Sequence, residues 1–402
     1  MTKKMQSITM TVIIIILTSS LGDSINGMNP VLENISNEFP DLSYSLITLV
    51  GTIPNVTYIV AALIAGFFVG RQLKYKTTIV LGCICILIGG MLPGIWYDNF
   101  TLILTARLIF GIGLGLLAVL NAYVTEIFDG TARQKYLGWH TSAMNCGSII
   151  LLLLAGVLGG HHWSFAAYSY VLAIIPLIFA FFVKEPNELR FSYTSRSVSE
   201  AEAKGKKTMS PAAIGYFLVM IVVATALNCF FIVMSPFVID VQGGTVFLTS
   251  VILCCYIFGG AVAGFVFEKM RKVFKKAFLC IVCLCIAFGA ALVYFTGVYA
   301  LMGVGGFLCG FSFWSIMTIC IELTALKSNE ASVAFSTTMI CVGTYLGCFL
   351  ASPWTSVVTA VFGDLYKGVF VSIIVIHIII AIIFFIKNPL KENTLSNSGE
   401  AI

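Results

Sequence analysis

Hydrophobic positions in this chain run in long stretches with few polar interruptions. They fall at about residues 8–28, 44–69, 77–96, 100–124, 137–160 and 164–183, then at 211–238, 245–267, 276–295, 298–323, 333–358 and 365–386. A helix needs about 20 apolar residues to cross the hydrocarbon core of a bilayer, so each stretch predicts one span. The pattern is six stretches, a break, and six more. The break at 184–210 is charged and serine-rich and reads as a flexible linker. The expected organisation is an all-α membrane protein of twelve transmembrane helices. An N-terminal six-helix bundle (1–183) is followed by a cytoplasmic linker (184–210), a C-terminal six-helix bundle (211–390) and a short cytoplasmic tail (391–402). The N-terminal Lys3 and Lys4 followed by an apolar run resemble a signal peptide, but no small-residue cleavage site follows, so a retained first helix is predicted.

Charge orients this arrangement. With both termini in the cytoplasm, 21 of the 23 basic residues lie at inward ends and loops, Lys367 lies outward, and Glu33, Glu38, Asp41, Asp98, Asp240 and Asp364 fall in outward loops. Such a bias sets an N-in, C-in topology. The halves also resemble each other at an offset of about 200 residues. The segment "GMNP" ending at Pro30 matches "VMSP" ending at Pro236, "GFFVGRQLKYK" from Gly66 matches "GFVFEKMRKVFKK" from Gly264, and Glu126 and Glu322 close the fourth helix of each half. Parallel six-helix repeats of this kind occur in a large transporter class that binds substrate near the bilayer midplane.

Composition narrows the function classes. The chain is 59% apolar and 10% charged, with a mean hydropathy of +1.00, far below the roughly 25% charge of a soluble domain. No stretch outside the apolar segments is long enough for an aqueous catalytic domain, so an enzyme is not expected, nor is a nucleic-acid partner despite the net charge of +5. The thirteen cysteines sit mainly inside apolar segments, where they read as small hydrophobes and not as metal ligands or disulfides. No Gly-x-x-x-x-Gly-Lys-Ser/Thr motif is present, which argues against ATP hydrolysis. No cofactor or metal is expected.

Two charges lie well inside apolar spans. Asp23 is about 8 Å below the outward end of helix 1 and Arg107 about 10 Å deep in helix 4, at 1.5 Å per residue. A guanidinium at such depth costs about 2.5–3.5 kcal/mol or more unless it is paired or faces water. Gly111 and Gly113, beyond Arg107, are expected to permit close helix packing. Polar and aromatic positions that fall on helical faces are candidates to line a substrate cavity: Ser19 and Asn26 with Asp23 on helix 1, Thr141, Asn145 and Ser148 on helix 5, Asn228 and Phe231 on helix 7, and Phe307, Phe311, Trp314 and Thr318 on helix 10. His140, His161, His162 and His377 are scattered and read as packing or interfacial residues.

These motifs resemble the major facilitator superfamily over about residues 8–386. Gly66, Arg71, Lys74 and Lys76 fit its loop signature between helices 2 and 3, with Gly70 in place of the usual aspartate and Leu73 in place of a glycine. Glu268 and Lys269 retain an acid and a base in the second copy. Arg107, Gly111 and Gly113 fit its helix 4 pattern. The resemblance implies two pseudo-symmetric bundles, a latch on the cytoplasmic side formed by the helix 2–3 loops, and a central cavity faced by helices 1 and 4, where Asp23 and Arg107 form a direct or water-bridged pair. It looks most like the drug/proton antiporter branch, although the Gly-Pro pair of the antiporter signature is absent at Cys146-Gly147-Ser148-Ile149.

The expectation is a monomeric secondary transporter in a bacterial inner or plasma membrane, working by alternating access. Small apolar or weakly cationic compounds would leave in exchange for protons, with Asp23 as the protonation site and Arg107 as its partner. Two alternatives stay open at this point: an uptake symporter or facilitator for a nutrient or organic anion anchored by Arg107, and a membrane sensor or assembly protein that does not transport.

Overall fold

In the computed structural model, residues 3–70, 72–128, 130–186, 209–328 and 332–387 are described. Among them the regular structure is helical, with one isolated bridge between Val69 and Leu73. In chain order the α-helices are α1 (Lys3–Ser19), α2 (Leu32–Glu38), α3 (Tyr44–Ile47), α4 (Leu49–Thr52), α5 (Pro54–Phe68), α6 (Tyr75–Ile95), α7 (Phe100–Leu117), α8 (Val119–Ile127), α9 (Gly130–Gly159), α10 (Ile174–Ala180), α11 (Pro211–Pro236), α12 (Val246–Phe274), α13 (Phe278–Thr296), α14 (Tyr299–Leu326), α15 (Val333–Phe362) and α16 (Leu365–Lys387). Three-residue-per-turn segments span Ser24–Val31 and Trp163–Ala173, and a π-helical turn, Phe237–Val241, extends α11.

Eleven stretches of the described residues are long and apolar enough to cross a membrane. One of them, Val246–Thr296, is 51 residues long, about 75 Å at 1.5 Å per residue and more than twice a hydrocarbon core. It holds two helices, α12 and α13, joined by a short turn in which Lys275 adopts a left-handed φ of 44°. The predicted span 276–295 lies within it, as does all but the first residue of 245–267.

The chain divides into two compact units, Met1–Ser195 with Met234–Ser250, and Arg196–Val233 with Val251–Ile402. Most of the predicted linker, residues 187–208, lies outside the described residues, as does the tail from 388 onward.

Helix 1 differs from the expected continuous span over 8–28. It is α-helical only to Ser19, turns through Ser20–Asp23, and resumes as a tighter helix at Ser24. The sequence here is Thr-Ser-Ser-Leu-Gly-Asp-Ser-Ile-Asn-Gly-Met-Asn-Pro. Short polar side chains compete for backbone carbonyls and bend helices. Thr18 donates to Ile14 O (2.7 Å), Ser20 to Leu17 O (2.7 Å) and Ser24 to Leu21 O (2.7 Å), and Pro30 has no N–H to continue an α-helical ladder. The helical path then extends beyond the predicted span to Glu38, so Glu33 is a buried residue and not a solvated loop acid as expected. It is 7% exposed, with its backbone N–H donated to Ser235 Oγ (3.2 Å).

Candidate functional site

Within the first unit, α7 reaches the break in helix 1 by packing through glycine. A Cβ on Gly111 would lie 2.2 Å from Pro54 O and one on Gly113 would lie 2.7 Å from Gly82 O, so these positions allow α7 to touch α5 and α6. This is the close packing expected of them. It places Arg107 in a fully enclosed position at 0% exposure.

Arg107 is bonded to backbone. Its Nε donates to Val50 O (2.8 Å) and its Nη2 to Ile25 O (2.9 Å), while its Cζ stands 4.2 Å from the centre of the Phe110 ring. Nη1 is buried without a hydrogen-bond partner. The direct pair with Asp23 is not made: among the described residues the Asp23 carboxylate has no ion pair and no hydrogen bond, and it caps nothing. Asp23 is half-buried at the start of the Ser24–Val31 segment, with φ −123° and ψ 27°. The physical reason is the break itself. Helix 1 changes from α-helical to a tighter helix here, and a carbonyl keeps a second lone pair that can accept a side-chain donor. The guanidinium donates to such a carbonyl, that of Ile25, and not to the carboxylate.

Two further side chains meet the same stretch. Ser148 Oγ on α9 donates to Asp23 O (2.8 Å), and the Tyr170 hydroxyl, from the Trp163–Ala173 segment, donates to Ser24 O (2.9 Å). Three consecutive carbonyls, of Asp23, Ser24 and Ile25, therefore accept from three different elements. Helix α9 comes close enough because a Cβ on Gly147 would lie 1.9 Å from Ser20 O. Sequence reasoning missed Tyr170 altogether, since a tyrosine in an apolar span looks like core.

The other predicted cavity residues are mostly spoken for. Ser19 is buried, with its hydroxyl 2.6 Å from His140 Nδ1, so His140 is a buried partner of helix 1 and not a scattered packing residue. Asn26 is half-buried and accepts from Asn29 Nδ2 (3.0 Å). Asn145, 7% exposed, donates to Thr141 O in its own helix (3.1 Å). In the second unit Asn228 donates to Cys348 O (2.8 Å) and joins α11 to α15. Phe311 is buried, stacked at 6.4 Å on Phe307. Trp314 is half-buried, with its ring where a Cβ on Gly260 would sit.

Of the predicted latch residues, Gly66 and Lys74 are exposed and Arg71 lies outside the described residues. Gly70 has a φ of +79°, a value that suits glycine better than the family's aspartate. The acids that hold this end of the first unit are Glu126, which accepts from the Tyr75 hydroxyl (2.7 Å), and Glu185, which accepts the backbone N–H groups of Tyr75 (3.2 Å) and Lys76 (3.0 Å). In the second unit Glu322 forms an ion pair with Arg271, while Glu268 pairs with Lys272 one turn along its own helix (2.7 Å), and Lys269 is exposed. The glutamates matched by the internal repeat, Glu126 and Glu322, thus each tie a fourth helix to the region between helices 2 and 3 of its half.

A family model described as "Major Facilitator Superfamily" matches residues 5–352. The chain belongs to that superfamily. It is a transporter, multi-pass and membrane-embedded, and not an enzyme. A comparison with curated proteins gives no match. Among solved structures, the chain is similar to a D-xylose-proton symporter (15% identity, 94% of this chain and 97% of that one, TM-score 0.73). It is also similar to a bacterial homologue of the human lysosomal transporter Spinster, inward-facing and unoccupied (14%, 97% and 98%, TM-score 0.69), and to a peptide transporter in complex with alafosfalin (11%, 97% and 98%, TM-score 0.73). At these identities the likeness is one of fold.

Proposed function

We propose that this superfamily member is a proton-coupled exporter of small apolar or weakly cationic compounds, working by alternating access in a twelve-span, N-in and C-in arrangement. The observation that carries the reading is the contrast between its two membrane-embedded charges. Arg107 is sealed at 0% exposure with two donors committed to backbone, which makes it a poor anchor for an organic anion. Asp23 is half-buried, and among the described residues its carboxylate has no protein partner.

A carboxylate in this state takes either a proton or a cationic substrate, and one group cannot hold both. Binding of one displaces the other, which is the elementary requirement for exchange. The break in helix 1 is poorly suited to hold a metal cation through its carbonyls, as broken helices do in some transporters. Here three of those carbonyls already accept protein donors, one from a guanidinium. A proton on Asp23 is therefore favoured as the coupling ion.

The test is export from proteoliposomes with an imposed pH gradient, using ethidium as the first lipophilic cation alongside neutral and anionic compounds. Gradient-driven movement of cationic or neutral probes, abolished in Asp23→Asn, is expected. Undiminished coupling in Asp23→Asn, or movement of anions alone, overturns the reading.

A further inference from the structure

We infer that Tyr170 and Ser148 are positioning residues for the coupling carboxylate, acting as a backbone clamp on residues 23–25 together with Arg107. The inference rests on the reading of Asp23 as the proton-binding group. Its support is geometric and lies within one unit. Residues 20–23 leave the α-helical ladder and are held within helix 1 only by short turn bonds such as Ser24 N–H to Leu21 O (3.2 Å). What ties Asp23 and its neighbours to the surrounding elements is the row of bonds to its own carbonyl and the next two: Ser148 at 2.8 Å, Tyr170 at 2.9 Å and Arg107 at 2.9 Å.

Tyr170 is itself immobilised. A Cβ on Gly27 would lie 2.5 Å from its hydroxyl and one on Gly90 would lie 2.5 Å from its Cγ, and its ring meets Phe110 edge-on at 4.9 Å. Two glycines therefore shape a slot that admits this ring and delivers its hydroxyl to the break. Phe110 is also the ring beneath the Arg107 guanidinium, so two of the three clamp members share one support. The charged or titratable groups brought to the segment by the elements around it are Arg107 from α7, Tyr170 from Trp163–Ala173 and, on the α1 side of the break, His140 of α9 at Ser19. Glu33 lies further along on α2, and α4 brings none.

Because the clamp grips the main chain and leaves the carboxylate free, it sets where the acid sits without neutralising it. Losing one clamp bond lets residues 23–25 rearrange and changes the environment in which Asp23 gains and loses its proton. The experiment is infrared titration of the carboxyl band in the purified full-length chain, which needs no substrate. Asp23→Asn identifies the band by removing it. In Tyr170→Phe and in Ser148→Ala the midpoint of that band is expected to move by about half a pH unit or more, the equivalent of one net hydrogen bond. Tyr168→Phe deletes a comparable bond, to Gly94 O at 3.1 Å, away from the break, and is expected to keep the wild-type midpoint. Midpoints in Tyr170→Phe and Ser148→Ala that superimpose on wild type, or a Tyr168→Phe shift of the same size, overturn the clamp while leaving the role of Asp23 intact. A titrating band that persists unchanged in Asp23→Asn overturns the reading of Asp23 and the clamp with it. Should Tyr170→Phe fail to fold, Ser148→Ala reports on the same carbonyl row from a different helix.

Discussion

The guanidinium of Arg107 is bonded to the carbonyl of Ile25, two residues along from Asp23, and not to the Asp23 carboxylate. The two buried-charge arrangements make opposite predictions about stability. Removing one partner of a buried ion pair strands the other charge and costs about 3–5 kcal/mol. With no pair to break, Asp23→Asn is expected to change unfolding free energy by less than about 1 kcal/mol. Arg107→Met removes the side-chain donors to the carbonyls of Ile25 and Val50 and is expected to destabilise by at least about 2 kcal/mol. Thermal unfolding of the detergent-solubilised protein reads both, and a large loss in Asp23→Asn would restore the ion pair.

Close approach of α9 to helix 1 depends on the missing side chain at residue 147. An alanine there puts Cβ at 1.9 Å from the Ser20 carbonyl, backbone against backbone, so neither side can swing aside. Overpacking of this sort costs about 1–3 kcal/mol. It also pulls Ser148 away from Asp23 O. Gly147→Ala is expected to lower the melting temperature and to reproduce the coupling defect of Ser148→Ala, whereas Gly138→Ala on the same helix, which faces open space, should do neither. Paired melting and transport assays separate the two positions.

The apolar runs made the helices legible, because bilayer thickness forces length and hydropathy on a span regardless of its packing partners. The same rule concealed the break in helix 1. The run over 8–28 stays apolar enough to span, and only the local cluster of Ser19, Ser20, Gly22, Asp23, Ser24 and Gly27 hints that side chains and flexible backbone will compete with the helix. Asp23 and Arg107 stood out because charge is scarce in lipid, yet depth alone put them together and could not show that backbone carbonyls would outcompete a carboxylate for the guanidinium. Tyr170 and His140 carried no signal, since their roles arise from partners more than 100 residues away in sequence.

Of the thirteen cysteines, none of them in a disulfide, Cys146 alone is exposed. It lines an apolar cavity of about 340 Å³ in the first unit, together with Leu17, Leu21, Ile150 and Leu172. An apolar cavity admits a small uncharged reagent, whereas a charged one must shed its hydration to enter. N-ethylmaleimide, small and uncharged, is expected to label one site per chain, lost in Cys146→Ser, while a charged methanethiosulfonate reacts far more slowly. Intact-mass spectrometry counts the adducts; several adducts per chain, or equal rates for the two reagents, would show that the cavity is wet or that other thiols are reached.

At the other end of the molecule's polarity scale, Arg271 and Glu322 join α12 to α14 with side chains 30% and 35% exposed. Solvent screens such a pair, so its coupling energy is expected to stay at or below about 1 kcal/mol. Its sign is nonetheless testable. Arg271→Glu sets two carboxylates against each other, and the exchanged double variant Arg271→Glu with Glu322→Arg restores attraction. The single reversal is expected to reduce transport or thermal stability and the exchange to recover most of the loss, with the recovery shrinking as salt is raised. Glu268→Gln interrupts only the exposed contact with Lys272 one turn away in the same helix and should be silent in the same assays. If Glu268→Gln impairs transport while the Arg271 and Glu322 variants do not, the working acid of this segment is the one in the loop signature and not the one that closes the fourth helix of the second repeat.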